Sequence, residues 1–129
     1  MVEEQTNVIP LDVKYHRFGN RRKYKRVPVD FPVVLEFSGE TISGQALNGC
    51  NEGLIVESYM SSEYAQGIMG MLSDRPLKVA LQFTHNKRTY KTEGELKHFY
   101  LDFLGNHMCR IKIGLFIPKM ETVSEILEP

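Results

Sequence analysis

The chain has 129 residues, with 16 Lys or Arg against 16 Asp or Glu and a hydrophobic content of 42%. That is the size of one domain with its own core, and no apolar run reaches the roughly 18 residues that a membrane-crossing helix requires. Cys50 and Cys109 alone make no disulfide scaffold, and no charged start followed by an apolar stretch marks a secretory signal, so the expected setting is cytoplasmic with reduced thiols.

The basic residues are concentrated near the start. Lys14, Arg17, Arg21, Arg22, Lys23, Lys25 and Arg26 lie between positions 14 and 26 with no Asp or Glu among them. The remainder of this formally neutral chain is therefore acidic, and an anionic partner is expected at the basic stretch. Val27-Pro28 follows, and the residue before a proline is pushed to extended backbone. The stretch thus reads as a basic arm leading into a strand rather than as a recognition helix. Residues 1 to 13 contain Pro10 and no motif, and both a tail and a docking strand remain open for them.

Period-two patterning dominates what comes next. Phe31, Val33, Leu35 and Phe37 alternate as one strand face, with Pro32 marking an edge or the start of the strand. After Ser38-Gly39-Glu40 a weaker strand runs from Thr41 to Leu47, with Gly44 as the candidate bulge, and Leu54-Ile55-Val56 reads as a short buried strand. From Tyr59 to Asp74 the alternation fails, which predicts a loop or short helix crossing one mouth. Leu77, Val79, Leu81 and Phe83 then alternate, the turn His85-Asn86-Lys87 leads to a strand over about Arg88 to His98, and Cys109, Ile111, Ile113 and Leu115 form the last strand. Beyond Pro118, Met120, Val123, Ile126 and Leu127 recur at helical spacing and predict a short amphipathic helix. Six strands joined by turns imply an all-β barrel or sandwich, and closure would hide the edges.

Two short motifs flank the first strands. Arg22-Lys23-Tyr24-Lys25-Arg26 has the form Arg-x-x-x-Arg just before the first strand, and Asn48-Gly49-Cys50-Asn51-Glu52-Gly53 has the form Asn-x-Cys-x-x-Gly between the second and third. In this order and at this separation the pair resembles the PilZ domain family, whose motifs are Arg-x-x-x-Arg and Asp/Asn-x-Ser-x-x-Gly. Gly114-Leu115-Phe116 also looks like the family's last strand, and the resemblance covers about residues 21 to 117. It implies a six-stranded antiparallel β-barrel that binds the bacterial second messenger cyclic di-GMP. On that resemblance the chain divides into an N-terminal arm (1–20), a barrel carrying the ligand motifs (21–118) and a C-terminal helix (119–129). Arg22 and Arg26, with the adjoining Arg21, would hold guanine edges and phosphates, while Asn48, Cys50 and Gly53 would form the barrel-side surface.

The residue types suit that chemistry. The planar fork of arginine donates two parallel hydrogen bonds to guanine O6 and N7 and pairs equally well with phosphate. In extended chain, residues four apart are separated by roughly 13 Å, a span suited to different parts of one dinucleotide. Ordering about eight residues costs on the order of 10 kcal/mol, so several charge-assisted hydrogen bonds must offset it, and the arm is expected to change conformation on binding and to signal to a downstream protein. Cys50 stands where the family has serine, and its thiol is the poorer hydrogen-bonding group.

Other readings weigh less. Asn48 and Gly53 also suit a plain turn. Tyr15, Phe18 and Tyr24 could stack on a base or pack the arm. His16, His85, His98 and His107 show no metal-ligand spacing, so no cofactor is expected, and no nucleophile elbow, phosphate loop or His-Glu-x-x-His supports an enzyme. The alternatives are a PilZ-fold interaction module that ignores the nucleotide, and a small-barrel binder of single-stranded nucleic acid. The second is disfavoured by acidic strands without a solvent-facing aromatic stripe. Membrane insertion and nucleic-acid binding are not expected, and the exposed face of the terminal helix leaves a homodimer open.

Overall fold

The computed structural model describes residues 8–10, 31–49 and 53–127. In chain order the elements are β1 (Val8–Pro10), β2 (Phe31–Phe37), β3 (Glu40–Gly49), β4 (Gly53–Ser61), α1 (Ser62–Ser73), β5 (Lys78–His85), β6 (Arg88–Gly105), β7 (Met108–Phe116) and α2 (Met120–Leu127). The strands run β6-β5-β2-β3-β4-β7, every neighbour antiparallel, and β7 pairs back onto β6. The six predicted strands therefore form one sheet whose pairings close in a ring. β1, inside the predicted arm, adds to β6 in parallel, with Val8, Ile9 and Pro10 opposite Thr89, Tyr90 and Lys91.

Alternation produces this inside and outside. Val33, Leu35 and Phe37 on β2 and Val79, Leu81 and Phe83 on β5 are buried, and they meet across the β2–β5 ladder, where Leu35 lies opposite Leu81 and Val33 opposite Phe83. Pro32 is exposed and precedes the first β2–β5 pair, so its missing N–H interrupts no bond of that ladder. The hairpin turns at Asn86-Lys87 and Asn106-His107 hold both residues at positive φ, between 51° and 64°. This is the turn handedness that matches strand twist.

Four expectations are corrected. β3 is longer than Thr41 to Leu47, and its irregularity falls between Ala46 and Asn48 rather than at Gly44. Gly44 answers a different need: a Cβ there would come within 2.6 Å of the Glu57 carbonyl oxygen and 2.9 Å of a Val56 methyl. β4 continues to Ser61 and β6 to Gly105, well past the predicted Val56 and His98.

The segment after Tyr59 resolves as a helix. The Ser61 side chain accepts the Tyr64 N–H at 3.1 Å, which caps α1, and Ala65, Ile68 and Leu72 turn one buried stripe inward. On α2 that stripe is Met120, Val123 and Leu127. Both helices contribute to the single core formed with the strands.

Leu81 is fully buried, so Leu81→Ala is expected to lower stability by about 2–5 kcal/mol. Glu36→Ala removes only a solvent-exposed ion pair with Lys91 at 3.8 Å and should change stability by less than about 1 kcal/mol. Urea titration of both variants checks the contrast.

Candidate functional site

The two motifs are approached from the strands that carry them. Phe31 opens β2 opposite Ala46 of β3, and two residues later Asn48 lies opposite Ile55 of β4, just past the β3 irregularity. The chain therefore enters β2 at the same end of the ring where β3 ends and β4 begins. Arg21, Arg22, Arg26 and Cys50 lie outside the described residues. Of the expected site residues, the structure positions the backbone of Asn48 and the whole of Gly53.

Gly53 has a clear steric reason to be glycine. It is buried and opens β4 opposite Phe116, and a Cβ there would collide with the carbonyl oxygen of Leu115. The positive-φ glycines among the described residues are Gly39 and Gly105. Gly53 thus serves the close approach of β4 to β7, not a left-handed turn.

From Asn48 a register row crosses four strands: Asn48 opposite Ile55, Ile55 opposite Gly114, and Gly114 opposite His98. A Cβ at Gly114 would meet the His98 imidazole, with Nε2 2.5 Å and Nδ1 2.9 Å away. The ring accordingly lies against the bare backbone of Gly114. Tyr100, 64% exposed, follows with its ring 5.7 Å from that of His98, and Lys97 sets its ammonium 5.7 Å over Phe116. His98 was not legible as a member of the Asn48 row, because only strand register brings it there, and Tyr100 lies one row further on, opposite Lys112.

The next rows are ionic. Glu57 lies opposite Lys112 and Lys112 opposite Tyr100; Tyr59 lies opposite Arg110 and Arg110 opposite Asp102. The Arg110 guanidinium donates to Asp102 Oδ2 at 2.6 Å, while its Nε, 3.9 Å from Glu57 Oε2, has no hydrogen-bond partner. The hydrogen bond to Asp102, aided by Tyr59, holds the guanidinium proton more tightly than usual. With Tyr59 55% exposed as well, this outer face does carry exposed aromatics, contrary to the expectation that it would lack them.

Beside these rows an open groove of about 440 Å³ crosses the outer face, lined among others by Val34, Ser43, Gln45, Glu57, Tyr59 and Gln82. Its size suits a small ligand, but among the described residues that line it Glu57 is the one carboxylate, and it faces phosphate unfavourably.

Among the described residues no cluster of three or more His, Cys, Asp or Glu could hold a metal ion, and no helix is long and apolar enough to cross a membrane. No family model matches the chain, and no curated protein resembles it at a significant level.

Cys109 is fully buried, and burial pushes its thiol pKa up. In a Cys50→Ser background the folded protein should therefore give no reaction with a thiol reagent at neutral pH. One thiol should appear on unfolding, which a colorimetric thiol assay with and without denaturant measures.

Proposed function

We propose that this chain is a single-domain cyclic di-GMP receptor on a PilZ-type β-barrel, without enzymatic activity, that signals to a downstream protein controlling motility, pili, adhesion or exopolysaccharide. The observation that supports the reading is that β2 starts at the end of the ring where β3 ends and β4 begins. Arg26 precedes Phe31 by five residues, at most about 17 Å of extended chain, and Phe31 pairs next to the strand end that holds Asn48. Two arginines on a short tether beside a strand junction fit a compact anion with two guanine edges and two phosphates.

Each motif residue has a distinct part in this proposal. Arg22 and Arg26, with Arg21 adjoining, grip guanine edges and phosphates, while Asn48 and Cys50 present polar groups from the barrel. Gly53 keeps β4 close to β7 so that this surface is continuous. Binding changes the conformation of the basic segment, and the downstream protein reads that change.

A second reading has one observation in its favour. Tyr59, Tyr100 and the His98 ring on the outer face could stack bases, as in a single-stranded nucleic-acid binder, although Glu57 and Asp102 lie among them.

Titration calorimetry decides between the two. Cyclic di-GMP should bind at micromolar or tighter affinity, and Arg22→Ala or Arg26→Ala should abolish the heat. Cys50→Ser should tighten binding about two- to twelvefold, the value of one added hydrogen bond of about 0.5–1.5 kcal/mol. Binding of a linear oligonucleotide with steep salt dependence and no response to the cyclic dinucleotide would replace the receptor by the nucleic-acid binder.

A further inference from the structure

β6 is occupied unevenly along its two edges. Its first part pairs with β5 as far as Glu95, opposite Lys78, and the Leu96 N–H donates to the Leu77 carbonyl at 3.0 Å. From there to Gly105 it pairs with β7 only. Among the described residues no strand covers the other edge of β6 beyond Leu96. Native sheets usually blunt such an edge with proline, a bulge within it or repeated lysines. The stretch from His98 to Phe103 has neither proline nor lysine, and it lies between the two register shifts, at Leu96/His98 and Phe103/Gly105.

The composition of that window is complementary to itself. His98, Tyr100 and Asp102 share the outer face, opposite Gly114, Lys112 and Arg110, while Phe99 and Leu101 lie opposite the buried Ile113 and Ile111. An antiparallel strand of a second copy related by a two-fold axis must place some residue opposite itself. With Tyr100 on the axis, His98 faces Asp102 of the second copy, Asp102 faces its His98, and Phe99 faces its Leu101. The outer row then becomes a tyrosine pair flanked by two imidazole–carboxylate contacts, and the inner row is apolar throughout. Asp102 gives Arg110 its Oδ2, and a carboxylate has acceptor sites to spare for an imidazole N–H.

We infer that the free edge of β6 is a homodimer contact, in which His98–Asp102 pairs antiparallel with the same segment of a second copy about Tyr100. The five residues supply the backbone ladder. Phe103, Leu104 and Met108 at the hairpin tip, 55%, 48% and 38% exposed, add the apolar area that a short ladder lacks.

Sedimentation equilibrium of the full chain tests this. The wild type is expected to be dimeric at about 100 μM, and Tyr100→Lys, which sets two ammonium groups face to face at an exposed position, should weaken association at least tenfold. Tyr100→Cys in a Cys50→Ser background should form a covalent dimer on oxidation, because directly opposed residues have Cα atoms about 4.5–5.5 Å apart. Lys87→Cys in the distant hairpin turn should not. A wild type that stays monomeric at that concentration overturns the inference, and so does a dimer that survives Tyr100→Lys without cross-linking at position 100.

Discussion

Everything in this structure depends on β6 being shared between two neighbours. At Glu95 the strand is opposite both Lys78 of β5 and Phe116 of β7, and this double pairing turns an open sheet into a ring. Closure places the alternating apolar faces of β2, β5 and β7 around one interior and leaves the two helices to complete it. Backbone must come close where the strands change partners. Gly94, next to Glu95, is accordingly a residue whose Cβ would approach the Phe116 carbonyl oxygen to 2.9 Å, and the shift after Leu96 adds the bend.

The same constraint shapes the candidate site. Because β4 and β7 must meet tightly at Gly53, the junction carrying the second motif is a compact strand start, reached from β2 by one pair of opposed residues. The acidic and aromatic rows of β4, β7 and β6 spread away from it. The charge of the molecule is thus divided, with cationic residues concentrated in the stretch ahead of β2 and carboxylates on the outer strand faces.

How much of this could be read from the residues depends on how local each signal is. β2, β5 and β7 are half-buried strands with strict alternation, and their faces were legible. α1 was ambiguous because Gly67 and Gly70 each cost a helix about 1 kcal/mol, a cost offset by the Ser61 cap and the Ala65, Ile68 and Leu72 stripe, which only tertiary packing reveals. The far half of β6 was missed because Phe99, Tyr100 and Leu101 are consecutive apolar or aromatic residues that hide the two-residue period, and exposure itself stops alternating from Phe103. That the β3 irregularity falls between Ala46 and Asn48 rather than at Gly44 could not be read without the position of β4. The motifs themselves were legible in the chain, but the row from Asn48 to His98 was not, since it joins four strands whose register no short segment encodes.

A stack of rings links the start of β2 to the part of β6 that β1 joins. Phe31 meets Phe83 edge-on at 5.9 Å, and Phe83 stacks on Tyr90 at 5.4 Å. Tyr90 in turn is the β6 partner of Ile9. The pairing of β1 on β6 and the start of β2 are therefore tied to one aromatic ladder, and loosening any of its rings disturbs both.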